Sequence, residues 1–221
     1  NISFKVNQGE KLAIVGETGS GKSTIINLLL RFYEFSSGKI LLDNQDIRKF
    51  SQSSIRKNFA LVLQEIFLFS DTILNNIILD SKITSDEVIR ASKEIGLFNF
   101  INDFPGGFEY NVGERGVMLS SGQRQLISFL RAYVINPKVI ILDEATSSID
   151  SNTEDLIQKA LKKITDGKTT IIIAHRLSTV KDVDKILVLE KGKIVECGNH
   201  EDLIKSDSVY KKIFNSQIFN I

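Results

Sequence analysis

The 221 residues contain one cysteine, one methionine, two prolines and no tryptophan. With Cys197 as the sole thiol, an internal disulfide is excluded and a reducing compartment fits. The plainest expectation for Cys197 is a small residue in a turn before Gly198. Long apolar runs are missing as well. Stretches such as Val139 to Leu142 and Ile171 to Ala174 fall far short of the roughly 20 residues that a spanning helix requires, so no bilayer crossing is expected of this chain. Charge of one sign is not in excess either: 28 Lys and Arg face 27 Asp and Glu, which gives neither a nucleic-acid footprint nor a membrane-hugging face. The opening Asn1-Ile2-Ser3-Phe4 has no initiator Met, basic stretch or cleavage site, so no signal peptide is expected and the chain reads as an excised piece.

What is present suits a globular protein. Hydrophobic residues make up 42% and charged residues 25%, enough apolar material for a substantial core in one large domain, or in one core with an inserted subdomain. Short runs rich in Ile and Val alternate with longer amphipathic segments, the pattern of buried parallel strands joined by helices. Strands are expected near Lys11 to Val15, Phe59 to Leu63, Val139 to Asp143, Thr170 to Ala174 and Lys185 to Glu190. Between residues 67 and 132 the strand signal disappears. Thr84-Ser85-Asp86-Glu87 reads there as a helix start, Pro105-Gly106-Gly107 as a break, and Asn136-Pro137 as the return to the core. The division that follows is an α/β core over 1–66 and 133–221, with an α-helical subdomain inserted at 67–132.

Gly16-Glu17-Thr18-Gly19-Ser20-Gly21-Lys22-Ser23-Thr24 matches the phosphate-loop pattern in full. It follows an apolar strand and precedes an apolar helix expected over Ile25 to Phe32. Its glycines allow consecutive N–H groups to face inward, and the helix adds its positive end, so a polyphosphate is the natural occupant. Lys22 has the length to reach the β- and γ-phosphates, and the Ser23 hydroxyl offers one coordination position for Mg²⁺. Val139-Ile140-Ile141-Leu142-Asp143 is a buried strand ending in a carboxylate suited to hold Mg²⁺ through water. Glu144, next in the chain, is placed to deprotonate an attacking water. Two adjacent acids alone are equally compatible with a solvated turn; beside a phosphate loop they read as a hydrolytic pair.

Those two motifs occur in many ATPases, and the discriminating stretch is Leu119-Ser120-Ser121-Gly122-Gln123, which resembles the LSGGQ signature of ABC ATPases. The similarity extends over almost the whole chain: Gln64 resembles the Q-loop glutamine, Ser147-Ser148-Ile149-Asp150 the D-loop and His175 the switch histidine. The resemblance implies a RecA-like phosphate-loop NTPase core with a mainly parallel sheet, ATP and Mg²⁺ as ligands, and hydrolysis served by Glu144, His175 and Gln64. It implies that Gln64 joins Ser23 and Asp143 around the metal. It also implies that Ser120, Ser121, Gly122 and Gln123, with Asp150, complete the site of a second ATP-binding domain in a twofold dimer. Ser121 departs from the pattern, which has glycine there; its hydroxymethyl group would either crowd the γ-phosphate or hydrogen-bond to it.

Asn111-Val112-Gly113-Glu114-Arg115-Gly116 is similar to the X-loop of exporter-type members, and the segment 64–69 with Thr72-Ile73 and Asn76-Ile77, together with the segment 174–179, is similar to multidrug, lipid and peptide half-transporters. A transmembrane domain, in the same polypeptide or complex, is therefore the expected partner, with this domain on the cytoplasmic face of the membrane. A soluble ABC ATPase acting in DNA repair or translation is the competing class; it would carry a coiled-coil insertion, a second cassette or a basic surface. A cassette that only binds ATP would lack Glu144, His175 or Lys22.

Overall fold

The computed structural model describes residues 1–143, 151–174, 177–205 and 207–218. In chain order, β1 (Lys11–Gly16) feeds α1 (Lys22–Leu29); a small hairpin of β2 (Leu41–Leu42) and β3 (Gln45–Asp46) then leads to α2 (Gln52–Asn58) and β4 (Phe59–Val62). Four helices follow: α3 (Ile73–Ile78), α4 (Ser85–Glu94), α5 (Phe98–Asn102) and α6 (Ser121–Val134). The chain then forms β5 (Val139–Asp143), α7 (Ser151–Thr165), β6 (Thr169–Ile173), α8 (Leu177–Lys181) and β7 (Lys185–Glu190). It closes with β8 (Lys193–Gly198), α9 (His200–Lys205) and α10 (Val209–Ile218). None of the described helices is long and apolar enough to cross a membrane.

The described residues group into two compact units. One holds Asn1–Leu61, the strand that follows Pro137 and the residues from Lys168 onward. Its sheet runs in the order β4-β5-β6-β1-β7-β8, with β1 parallel to β6 and β7, β5 parallel to β6, and β8 antiparallel to β7. The apolar runs read from the sequence become these central strands because both of their faces are covered: Leu12, Ile14, Ile141, Ile173 and Leu187 are almost fully buried. All five expected strands form, within a residue or so of the expected ends.

Three details differ. Leu63 lies beyond the end of β4 and is exposed. Helix α1 stops at Leu29, short of Phe32, because Arg31 turns to φ +51° and the Phe32 N–H closes back on the Asn27 carbonyl at 2.8 Å, a left-handed helix stop. Cys197 is an exposed residue inside β8, not in a turn. That strand alternates between exposed and half-buried positions and carries Lys193 and Glu196, so no apolar run announces it.

The other unit holds Val62–Pro137 together with α7. Its centre is α6, whose Leu126, Ile127, Phe129 and Leu130 are buried and which packs against α3, α4 and α7. Packing on α6 thus places α7 in this unit, whereas the sequence-based division ends the insert at 132. Helix α4 begins where expected. The Thr84 hydroxyl accepts from the Glu87 N–H at 3.3 Å, and the Glu87 carboxylate accepts from the Thr84 N–H at 2.7 Å, a reciprocal cap. The segment around Thr72 pairs with Asn111: the Ile73 N–H donates to the Tyr110 carbonyl at 2.9 Å and the Val112 N–H to the Asp71 carbonyl at 3.0 Å.

Candidate nucleotide site

The first unit carries the phosphate loop between β1 and α1. Register fixes its neighbour: Ile14 of β1 and Asp143 of β5 both pair with Ile173 of β6, so the Asp143 carboxylate ends its strand level with the residues that enter the loop. The loop cannot be built from other residues at Gly16. A Cβ there would lie 2.2 Å from the Leu189 carbonyl oxygen and 2.8 Å from Ser20 Oγ. Gly21 caps α1 at φ +105°, a left-handed value that glycine adopts without strain, and makes no side-chain hydrogen bond to the helix end. The first N–H groups of α1 are thereby kept for a ligand. Behind the loop, the Gly192 N–H donates to the Ser20 carbonyl at 3.0 Å.

Lys22 occupies the first position of α1 and is 7% exposed. Its ammonium donates to the carbonyls of Gly16 at 2.7 Å and Glu17 at 2.9 Å, folding the side chain across the mouth of the loop. Burial lowers its pKa from the ordinary lysine value, and the Asp143 carboxylate acts in the opposite direction. The Ser20 hydroxyl is buried without a hydrogen-bond partner among the described residues, while Glu17, Thr18, Gly19, Ser23 and Thr24 are exposed. A concave turn with a desolvated cation, open N–H groups and exposed hydroxyls suits a polyphosphate, and the Ser23 and Asp143 oxygens are hard donors of the kind Mg²⁺ takes.

The signature stretch lies in the second unit. Ser120 caps α6: its hydroxyl accepts from the Gln123 N–H at 3.2 Å, and Gln123 Oε1 accepts from the Ser120 N–H at 2.9 Å. The Gln123 carbonyl oxygen is therefore spent on the helix itself, which leaves its NH₂ group and the first-turn N–H groups of Ser121 and Gly122 as the donors available to an anion. Ser121 is exposed at the first helical position. Upstream, Gly116 packs where a Cβ would meet Leu68 at 2.9 Å, and the Arg124 guanidinium donates to the Gly116 carbonyl at 3.4 Å and the Leu119 carbonyl at 2.8 Å, which ties the end of the 111–116 loop to the start of α6. Gln64, also in this unit, is exposed just past the end of β4. Glu144, Asp150 and His175 lie outside the described residues.

Asn76, which the sequence marked only as part of the exporter resemblance, and Arg131, which sequence reasoning passed over, hold the backbone downstream of Gln64. Asn76 acts on main-chain atoms four and seven positions away, and Arg131 on main-chain atoms 55 and 64 positions away, which no local pattern announces.

The chain resembles known proteins along its whole length. A family model described as ABC transporter matches residues 1–147. A putative ABC transporter ATP-binding protein of Streptococcus pneumoniae is 51% identical over 217 residues, 98% of this chain and 37% of that protein. An ATP-dependent lipid A-core flippase of Methylobacillus flagellatus is 43% identical over 219 residues, 98% of this chain and 38% of that protein. Among solved structures, a bacterial Atm1-family ABC exporter with ATP bound is 41% identical with a TM-score of 0.89, over 98% of this chain and 38% of that one. The chain thus spans little more than a third of the length of the relatives it matches.

Proposed function

The chain belongs to the ABC transporter family as an ATPase domain of the exporter type, and on that premise we propose that it binds ATP with Mg²⁺ at the phosphate loop, dimerises around the nucleotide, and hydrolyses it to drive export by a transmembrane domain. The observation that carries this reading is Lys22, a desolvated cation laid over the carbonyls of its own loop. In that position it is bonded to weak acceptors that a polyphosphate would replace with charged ones.

In this reading Gly16 to Thr24 enclose the β- and γ-phosphates, with Lys22 as their cation. Ser23, Asp143 and Gln64 hold Mg²⁺, which supplies charge neutralisation at the β- and γ-oxygens when bound. Glu144 takes the proton of the attacking water; His175 bonds the γ-phosphate and keeps Glu144 oriented. Ser120, Ser121, Gly122 and Gln123, with Asp150, close the site of a second ATP-binding domain, so one chain alone has incomplete sites. The membrane-spanning part selects the substrate, and this domain works on the cytoplasmic face of the membrane.

The test is Lys22→Ala. Removing the one buried cation of the loop should abolish ATP binding measured by calorimetry while leaving the cooperative unfolding transition in place, since the loop adds little to the core. Unchanged ATP affinity would reject the site.

A further inference from the structure

The backbone that leaves Gln64 is held by side chains where a neighbouring strand would be expected. Phe67 and Phe69 are 54% and 55% exposed while Leu68 between them is fully buried, the alternation of a strand. In place of a partner strand, the side-chain amide of Asn76 grips Phe69 from both ends: the Phe69 N–H donates to Oδ1 at 2.8 Å, and Nδ2 donates to the Phe69 carbonyl at 3.0 Å. The same Nδ2 donates to the Thr72 carbonyl at 3.0 Å, and Asn76 itself is fully buried in α3. Arg131, near the end of α6, then fastens this arrangement. Its Nε donates to the Asn76 carbonyl at 2.8 Å and its Nη1 reaches the Phe67 carbonyl at 3.4 Å.

Such a guanidinium is costly. Burial lowers its pKa, and its Nη2 is buried with no hydrogen-bond partner among the described residues. An apolar side chain of similar volume would fill the space without that desolvation. What an apolar residue could not do is join the two carbonyls, one on α3 and one on the chain that leaves Gln64.

We propose that Arg131 and Asn76 are positioning residues for ATP hydrolysis: together they lock the 67–69 segment, and through it Gln64, to the body of the helix that starts at Ser120. Phe67 is three positions beyond Gln64, a span of at most about 10 Å, so the lock leaves Gln64 little slack. Gln64 and the Ser120–Gln123 end then travel as one piece. The inference rests on the reading of Gln64 as part of the hydrolytic site.

The experiment uses the complete protein with Arg131→Lys, Asn76→Ala and Gln64→Ala, singly and with each clamp variant combined with Gln64→Ala. It measures kcat and KM per folded molecule, ATP affinity, and amide exchange at Phe69. Arg131→Lys keeps charge and reach but loses the planar fork. That variant and Asn76→Ala should speed exchange at Phe69 and lower kcat by about 10- to 100-fold, the scale of a displacement of about 1 Å at a reacting centre. ATP affinity should stay within about twofold, and in the Gln64→Ala background either substitution should add less than about twofold, because effects routed through one residue do not multiply. Losses that multiply, or a kcat that falls only in step with the folded fraction, would overturn the proposal. Should Asn76→Ala fail to fold, Arg131→Lys carries the test. Native kcat in Gln64→Ala rejects the reading of Gln64, while native exchange at Phe69 in Arg131→Lys rejects the clamp, so the two failures are seen separately.

Discussion

At the start of α1 the cap is Gly21, left-handed and without a side-chain bond to the helix, whereas α6 starts from Ser120, whose hydroxyl and N–H are both engaged by Gln123. The first end is left open and depends on what binds there; the second is finished before any ligand arrives, with two N–H groups to spare. Both lack an acidic residue in the first turn. Helix α4 supplies the contrast, since it has the same reciprocal cap at Thr84 but places Asp86 and Glu87 in its first turn. Those carboxylates satisfy the helix dipole from within and leave an anion nothing to neutralise. The difference between α4 and α6 lies in those two acids; α2 and α3 lack first-turn acids as well, so their absence permits an anion without announcing one.

The comparison can be sharpened by substitution. The largest effect belongs to the chemistry beside the open end: Glu144→Gln should reduce phosphate release by about 10²–10⁴-fold at saturating ATP, the range for loss of a general base, with ATP binding retained. Full activity in that variant would move the base elsewhere, with His175 next. At the finished end, Ser120→Ala removes half of the reciprocal cap. It should cost about 0.5–2 kcal/mol in chemical denaturation and also weaken the ATP-dependent dimer on a sizing column. Thr84→Ala should cost about 1 kcal/mol in the same denaturation series yet leave ATPase activity and dimerisation untouched. If the two cap variants lose activity equally, the distinction between α6 and α4 is wrong. Smallest of all, Ser121→Gly should change stability by no more than about 0.5 kcal/mol, as an exposed substitution does. The direction of its effect on ATPase rate decides whether the Ser121 hydroxymethyl group crowds the γ-phosphate or bonds to it.

How far the sequence carried depended on whether the deciding contacts are local. The phosphate loop is contiguous and its strand and helix adjoin it, so Gly16 to Thr24 could be read directly, as could the cap at Thr84. The central strands were readable because burial on both faces turns each into an unbroken apolar run. Strand β8 was not, since its half-exposed alternation with Lys193 and Glu196 looks like a loop. Helix α10 was not expected either, although Ser208 caps it locally by accepting from the Lys211 N–H at 2.9 Å; the Glu196 carboxylate of β8 adds to that cap by accepting the N–H groups of Val209 and Tyr210 at 2.6 and 2.9 Å. Arg131 and Asn76 are 55 positions apart, and only folding brings them together. Gln64 could be named from motif resemblance alone, whereas Asp143 could be read as the carboxylate that ends an apolar strand, and the sheet register sets it level with the entry to the phosphate loop.

The bond from the Gly192 N–H to the Ser20 carbonyl makes the turn between β7 and β8 a strut behind the phosphate loop. Leu189, whose carbonyl crowds Gly16, belongs to the same hairpin. A ligand that draws Lys22 off the Gly16 and Glu17 carbonyls will therefore load the hairpin from one side, and Gly192, which makes no contact with phosphate in this reading, becomes a gauge of that load. Its amide proton should report nucleotide occupancy by a change in chemical shift, giving the loop a sensor outside its own sequence.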